Sequence, residues 1–173
     1  RGWPHAGGRA GTASAPGCPH RIDNPGMALL SDVDRRRVQE RLAALGRPVR
    51  LVFFTQTFGC DTCHEAAQIL RALVELSPQL SLVEHNLILD EARARAYGVD
   101  RAPSVAVVAV DPNGREQDYG VRFVGVPSGY EFVSLLEAVT VVSSGEAGLA
   151  PESRGRLARL AEPVHLQVFV TPT

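Results

Sequence analysis

Cys60-Asp61-Thr62-Cys63 stands between two segments of different periodicity, and that junction limits what the chain can fold into. Before it, Val49-Arg50-Leu51-Val52-Phe53-Phe54-Thr55 is apolar, β-branched and aromatic, the pattern of a buried strand. After it, Ala66, Ile69, Leu70, Leu73 and Leu76 recur at helical spacing. A strand that hands over to a helix at the pair puts Cys60 at the helix N-terminus. Unpaired N–H groups and the positive end of the macrodipole stabilise a thiolate there. Residues three apart share a helix face, so Cys60 and Cys63 can close a disulfide. The pair reads as a dithiol/disulfide redox centre.

Composition narrows the setting. The chain has 173 residues, 45% of them hydrophobic and 21% charged, enough for one ordinary core with extra segments. No apolar run approaches the roughly 20 residues of a membrane-spanning helix. A net charge of −1 offers no basic excess for nucleic acid, and Arg35-Arg36-Arg37 reads as a solvated helix face. Neither nucleic acid nor membrane is an expected partner. Three cysteines make no disulfide scaffold, and a single C-x-x-C points to a reducing, cytoplasmic setting. Residues 1–26 are rich in Gly, Pro, Ala and Arg, without periodicity or an apolar secretory stretch, and are expected to be disordered or non-native. Cys18, His20 and His5 fall short of a four-ligand metal set.

Further along, the chain alternates. Ser31-Asp32-Val33-Asp34 opens a helix, buried through Val38, Leu42 and Leu45 and ended by Gly46 and Pro48. The first strand and the cysteine helix come next. Residues 80–87 read as a second strand, and residues 91–97 as a short helix closed by Gly98. Ser104-Val105-Ala106-Val107-Val108-Ala109-Val110 is a third strand, and Asp111-Pro112-Asn113-Gly114 a turn. A fourth strand passes through Val121-Arg122-Phe123-Val124. Ser128 and Glu131 suggest a capping box for a last long helix, buried through Phe132, Leu135, Leu136, Val139 and Val142. The order α-β-α-β-α-β-β-α is that of an α/β thioredoxin/glutaredoxin-like fold. It predicts a central mixed sheet flanked by helices, with an added N-terminal helix. A linker, a polar helix over about 151–161, and a strand Val164-His165-Leu166-Gln167-Val168-Phe169-Val170 complete the sequence pattern.

Several segments together carry a closer likeness. They are Met27-Ala28-Leu29-Leu30-Ser31-Asp32, the cysteine pair, Asp100-Arg101-Ala102-Pro103, residues 120–129, and Val168-Phe169-Val170-Thr171-Pro172-Thr173. In these the chain resembles the glutaredoxin-like protein disulfide oxidoreductases of thermophilic archaea and bacteria. That family carries two thioredoxin-fold units in tandem, each with its own C-x-x-C. The resemblance implies a first unit over residues 27–144. Residues 145–173 would then hold a linker, a helix and the first strand of a second unit cut off before its own cysteines. It also implies that Cys60 is the nucleophile, Cys63 the resolving thiol, and Pro103 a cis-proline facing the pair. The backbone of Ala102 would receive an extended substrate.

One position departs from the thioredoxin pattern. Six residues before Cys60, where many thioredoxins hold a buried acid that relays a proton, stands Phe54. The proton of Cys63 must pass to water or to another group, and His64 is the candidate by helical spacing. With Asp61 beside the nucleophile and no Pro after it, a potential toward the reducing end is expected.

The resulting expectation is a protein disulfide oxidoreductase that exchanges electrons with thiols and disulfides of partner proteins. A thioredoxin-reductase-like or glutathione donor would supply them, with no cofactor beyond the disulfide and no metal. Two readings of other classes compete: an inactive or docking thioredoxin-fold fragment, and a zinc module in which His64 and His85 join the cysteines.

Overall fold

The computed structural model describes residues 31–170. The expected disordered stretch 1–26, and the segments Met27 to Leu30 and Thr171 to Thr173 of the family likeness, lie outside the described residues. Helices α1 (Asp32–Ala43), α2 (Cys63–Val74), α3 (Glu91–Ala96) and α4 (Tyr130–Ser144) surround strands β1 (Val49–Thr55), β2 (Leu80–Asn86), β3 (Ser104–Val110) and β4 (Glu116–Val124). The sheet order is β2-β1-β3-β4. β1 runs parallel to β2 and antiparallel to β3, which is antiparallel to β4. The expected mixed sheet is therefore present, and its fold is that of thioredoxin.

Burial follows side-chain alternation. Val49, Leu51 and Phe53 point to the face covered by α1, α2 and α4, and meet Leu42, Leu70, Leu135 and Val139. Val52 and Phe54 point to the opposite face, against Ala94 and Tyr97 on the α3 side. β3 lies second from one edge and is buried along its whole length, which explains an apolar run without polar alternation.

The element ends separate what was read correctly from what was not. Ser31 caps α1, its Oγ accepting from Asp34 N at 3.2 Å. Asp111 closes the β3–β4 turn: its carbonyl accepts from Gly114 N at 2.9 Å and its Oδ1 from Asn113 N and Arg115 N at 2.8 Å. The capping box expected before α4 does not form. Gly129, at φ 56°, precedes the helix, and the carbonyl of Ser128 rather than its hydroxyl accepts from Glu131 N. β4 also begins earlier than expected, at Glu116, because ladder pairing extends down to the turn.

Beyond α4 lies α5 (Pro151–Leu157), which is solvent-exposed throughout. Residues 164–170 form no strand, contrary to the sequence reading. Alternating apolar residues make a strand only when a ladder partner is at hand, and here none is paired to them. Among the described residues, no helix is long and apolar enough to cross a membrane.

Candidate functional site

The parallel arrangement of β1 and β2 brings their C-terminal ends to one edge of the molecule. The chain leaves β1 at Thr55, passes Gly59 at φ 73°, and makes a turn in which Cys63 N donates to the Cys60 carbonyl at 3.4 Å. α2 proper starts at Cys63 with Thr62 as its cap. Cys60, read from the sequence as standing at the helix N-terminus, therefore sits in the turn that leads into it, three residues ahead of the first helical residue. The pair closes a turn, and the apolar stripe that drives the helix starts only at Ala66.

Cys60 and Cys63 are joined by a disulfide with Cα atoms 5.5 Å apart. Cys63 is 4% exposed beneath the start of α2, whereas Cys60 is half-buried at the surface. Asp61 and His64 are both exposed.

The loop entering β3 comes to the same edge, since Ser104 pairs with Phe54 across the antiparallel ladder. Its Ala102–Pro103 bond is cis. Two hydrogen bonds fix the loop: Ser104 Oγ donates to the Arg101 carbonyl at 2.7 Å, and Gly125 N to the Pro103 carbonyl at 2.9 Å. Pro103 is buried and Ala102 half-buried. Beside them Arg101 pairs with Asp100 at 2.8 Å, and this hydrogen bond and charge hold the Asp100 carboxyl below its ordinary range.

Phe54, at the position where an acid was looked for, is fully buried. Its ring stacks on His85 with centroids 5.6 Å apart, and His85 Nδ1 stands 3.5 Å from Asp90. His85 is thus tied into the packing under the sheet edge. No three His, Cys, Asp or Glu side chains gather at metal-binding distance among the described residues. In this disulfide state neither sulfur is a free thiolate ligand.

Sequence reasoning passed over three exposed apolar side chains at this edge: Phe58 before the pair, and Ile88 and Leu89 after β2. Their signal was present, as large apolar residues inside loop segments where turn chemistry favours polar ones.

A β2-β1-β3-β4 mixed sheet, a C-x-x-C disulfide after its first strand and a cis-proline before its third define a thioredoxin-like disulfide oxidoreductase fold. Within that class the chain is similar to a protein disulfide oxidoreductase from Aeropyrum pernix K1, at 28% identity and a TM-score of 0.64, over 75% of this chain and 55% of that one. It is also similar to the F subunit of alkylhydroperoxide reductase from Enterococcus faecalis V583, at 25% identity and a TM-score of 0.66, over 76% of this chain and 61% of that one. The F subunit of alkyl hydroperoxide reductase from Staphylococcus aureus strain NCTC 8325 / PS 47 is 30% identical over 127 residues, 70% of this chain. The chain spans only 21% of that relative's length. No protein-family model matches it.

Proposed function

We propose that the chain is a thiol-disulfide oxidoreductase acting on partner proteins through Cys60 and Cys63, with the exchanging unit within residues 27–144. The observation that carries this is the disulfide itself, with one sulfur at the surface and the other buried, beside the Ala102–Pro103 loop. In the reduced chain the Cys60 thiolate attacks a partner disulfide. A mixed disulfide forms and one partner sulfur leaves as thiolate. Cys63 then loses its proton, attacks the Cys60 sulfur and releases the second partner thiolate. The partner gains two electrons, and the Cys60–Cys63 bond closes.

Exposed His64 and bulk water are the two acceptors for the Cys63 proton. The free backbone of Ala102, ahead of the first residue of β3, would align an extended substrate. The disulfide serves as the redox group, so the cycle requires no bound cofactor or metal. A thioredoxin-reductase-like protein or glutathione would return the electrons, in a reducing compartment such as the cytoplasm. Asp61 beside Cys60 disfavours the thiolate and places the site toward the reducing end of its class.

The relatives' names add a second destination for the electrons, a partner that reduces alkyl hydroperoxides. Insulin reduction driven by dithiothreitol tests the central reading. The unaltered chain should accelerate precipitation of the insulin B chain, and Cys60→Ser should abolish the effect. Acceleration by Cys60→Ser equal to that of the unaltered chain would sink it.

A further inference from the structure

Between the flank of α2 and the start of α4 lies an apolar cavity of about 250 Å3. Ile69, Ala72 and Leu73 form one wall, and Pro127, Gly129 and Phe132 the other, with no charged side chain among them. Wall atoms that face an empty cavity forfeit dispersion contacts, and apolar surface open to water gains by being covered.

What covers it follows from where α1 begins. α1 packs through Val38 and Leu42 into the same core as Leu70 and Leu73 of α2 and Leu135 and Val139 of α4. Its last turn stands beside the last turns of α4. Arg41 Nε donates to Thr140 Oγ1 at 3.4 Å, and Arg47 N, just beyond α1, donates to Ser143 Oγ at 3.0 Å. The two helices end together and run the same way. Nine residues back from Arg41 is Asp32, and nine back from Thr140 is Glu131, each about 14 Å along its own helix. The start of α1 is therefore level with the mouth of the cavity.

The chain that arrives there is Met27-Ala28-Leu29-Leu30, four apolar residues that lie outside the described ones. A hydrophobic residue just before a helix cap often packs on the fourth helical residue. Here that residue is Arg35, so α1 offers Leu30 no apolar partner at that position. A segment tethered at the cavity mouth reaches it at small entropic cost, an advantage that a second copy or a separate partner lacks.

We propose that the cavity between α2 and α4 is the docking site of residues 27–30 of the same chain, with Leu29 and Leu30 as its occupants. Docking there braces the loop that supports the cis-proline from behind. Gly125, two residues before Pro127, donates its N–H to the Pro103 carbonyl at 2.9 Å.

The test uses the full chain with its disulfide closed. Nuclear Overhauser contacts should join the methyl groups of Leu29 and Leu30 to the Phe132 ring and to the Ile69 methyls. A sample that mixes labelled and unlabelled chains separates contacts within one chain from contacts between two copies. In Leu29→Asp these contacts should be lost, anilinonaphthalene sulfonate fluorescence should rise as the cavity opens, and the Gly125 amide should exchange faster with deuterium. Val33→Asp puts the same charge on an exposed position of the first turn of α1, and should leave all three readings at the parent's level. Contacts between copies only, or none at all, would overturn the proposal. So would an equal response to the two substitutions.

Discussion

Cys60 is half-buried and Cys63 is 4% exposed, so a partner disulfide reaches the first sulfur without disturbing α2 and cannot reach the second. The asymmetry predicts a trapping experiment. Cys63→Ser should accumulate a mixed disulfide with insulin, visible on a non-reducing gel, because nothing is left to resolve it. Cys60→Ser should accumulate little, and equal trapping by both variants would mean that burial does not select the nucleophile. At this scale the Cys60–Cys63 disulfide was legible in the sequence, because a separation of three residues lets the bond close locally. Pro103 was legible through a likeness spread over several segments. The His85–Phe54 stack was not, since it depends on which residues the parallel β1–β2 pairing brings together. The position of Cys60 was misread by less than a turn, because a cysteine turn and a helix start carry the same spacing.

Strand and helix boundaries were legible where the signal was local, as at Ser31 and at the Asp111 turn. They were misread at Ser128, where the path of the backbone rather than a side chain decides the cap. The contacts that join elements were not legible. Arg47 N donates to Ser143 Oγ at 3.0 Å, and its guanidinium reaches the Ser143 carbonyl at 2.9 Å and Gln117 at 3.0 Å, tying the end of α4 to the starts of β1 and β4. Gly145 comes next at φ 72°, and a Cβ there would lie 2.5 Å from the Arg47 guanidinium. Gly145→Ala should cost about 1–2 kcal/mol, the penalty of a left-handed L-residue, read as a lower urea midpoint at unchanged slope. A midpoint equal to that of the parent would show that this junction gives way freely. On the other face, Glu116 accepts from Arg50 at 2.7 Å and from the Tyr97 hydroxyl. Burial alone would raise the Glu116 carboxyl, but those hydrogen bonds with the charges of Arg50 and Arg93 outweigh it and hold the group below its ordinary value of 4.5. Burial first, then the bond to Glu116, pushes Tyr97 up to about 12. A carboxyl depressed in the folded state adds stability above its unfolded value, and this is lost as pH falls through the folded one. Glu116→Gln should therefore melt lower at pH 7, by about 1.5–3 kcal/mol of stability, and lose less than the parent on acidification. Parallel melting curves against pH for the two proteins would refute the assignment.

For the whole molecule, the order of strands followed from the alternation of periods, because a parallel β-α-β unit and a tight hairpin leave few ways to build one sheet. Beyond Ser144 the polar helix stands as α5, whereas the strand expected over residues 164–170 was misread, since a strand-like pattern states a preference and not a partner. Val164, Leu166, Val168, Phe169 and Val170 are between 70% and 88% exposed, on a stretch joined to the sheet by no ladder. The sheet keeps two open edges. β4 is irregular, with a register shift between Ala106 and Val108 and Gly120 at φ 79°, and an Asp118–Arg122 ion pair runs along it. β2 is a regular seven-residue ladder without bulge or proline. An unprotected edge invites pairing, and a β-branched run of similar length is the segment suited to it. In solution, the chain carrying residues 164–170 should therefore self-associate with rising concentration, through addition of this run to β2 of a second copy. A chain ending at Gly148 retains the Gly145 cap and the whole sheet, and should stay monomeric with its disulfide exchange intact. Placing Pro at Leu82, in the middle of β2, is a poor control because it removes a ladder donor from the fold itself. Val168→Lys is the better one, since it alters only the exposed run. Multi-angle light scattering on the three proteins reads the outcome. A concentration-independent monomer for the longer chain would show that this apolar run finds no partner in a second copy.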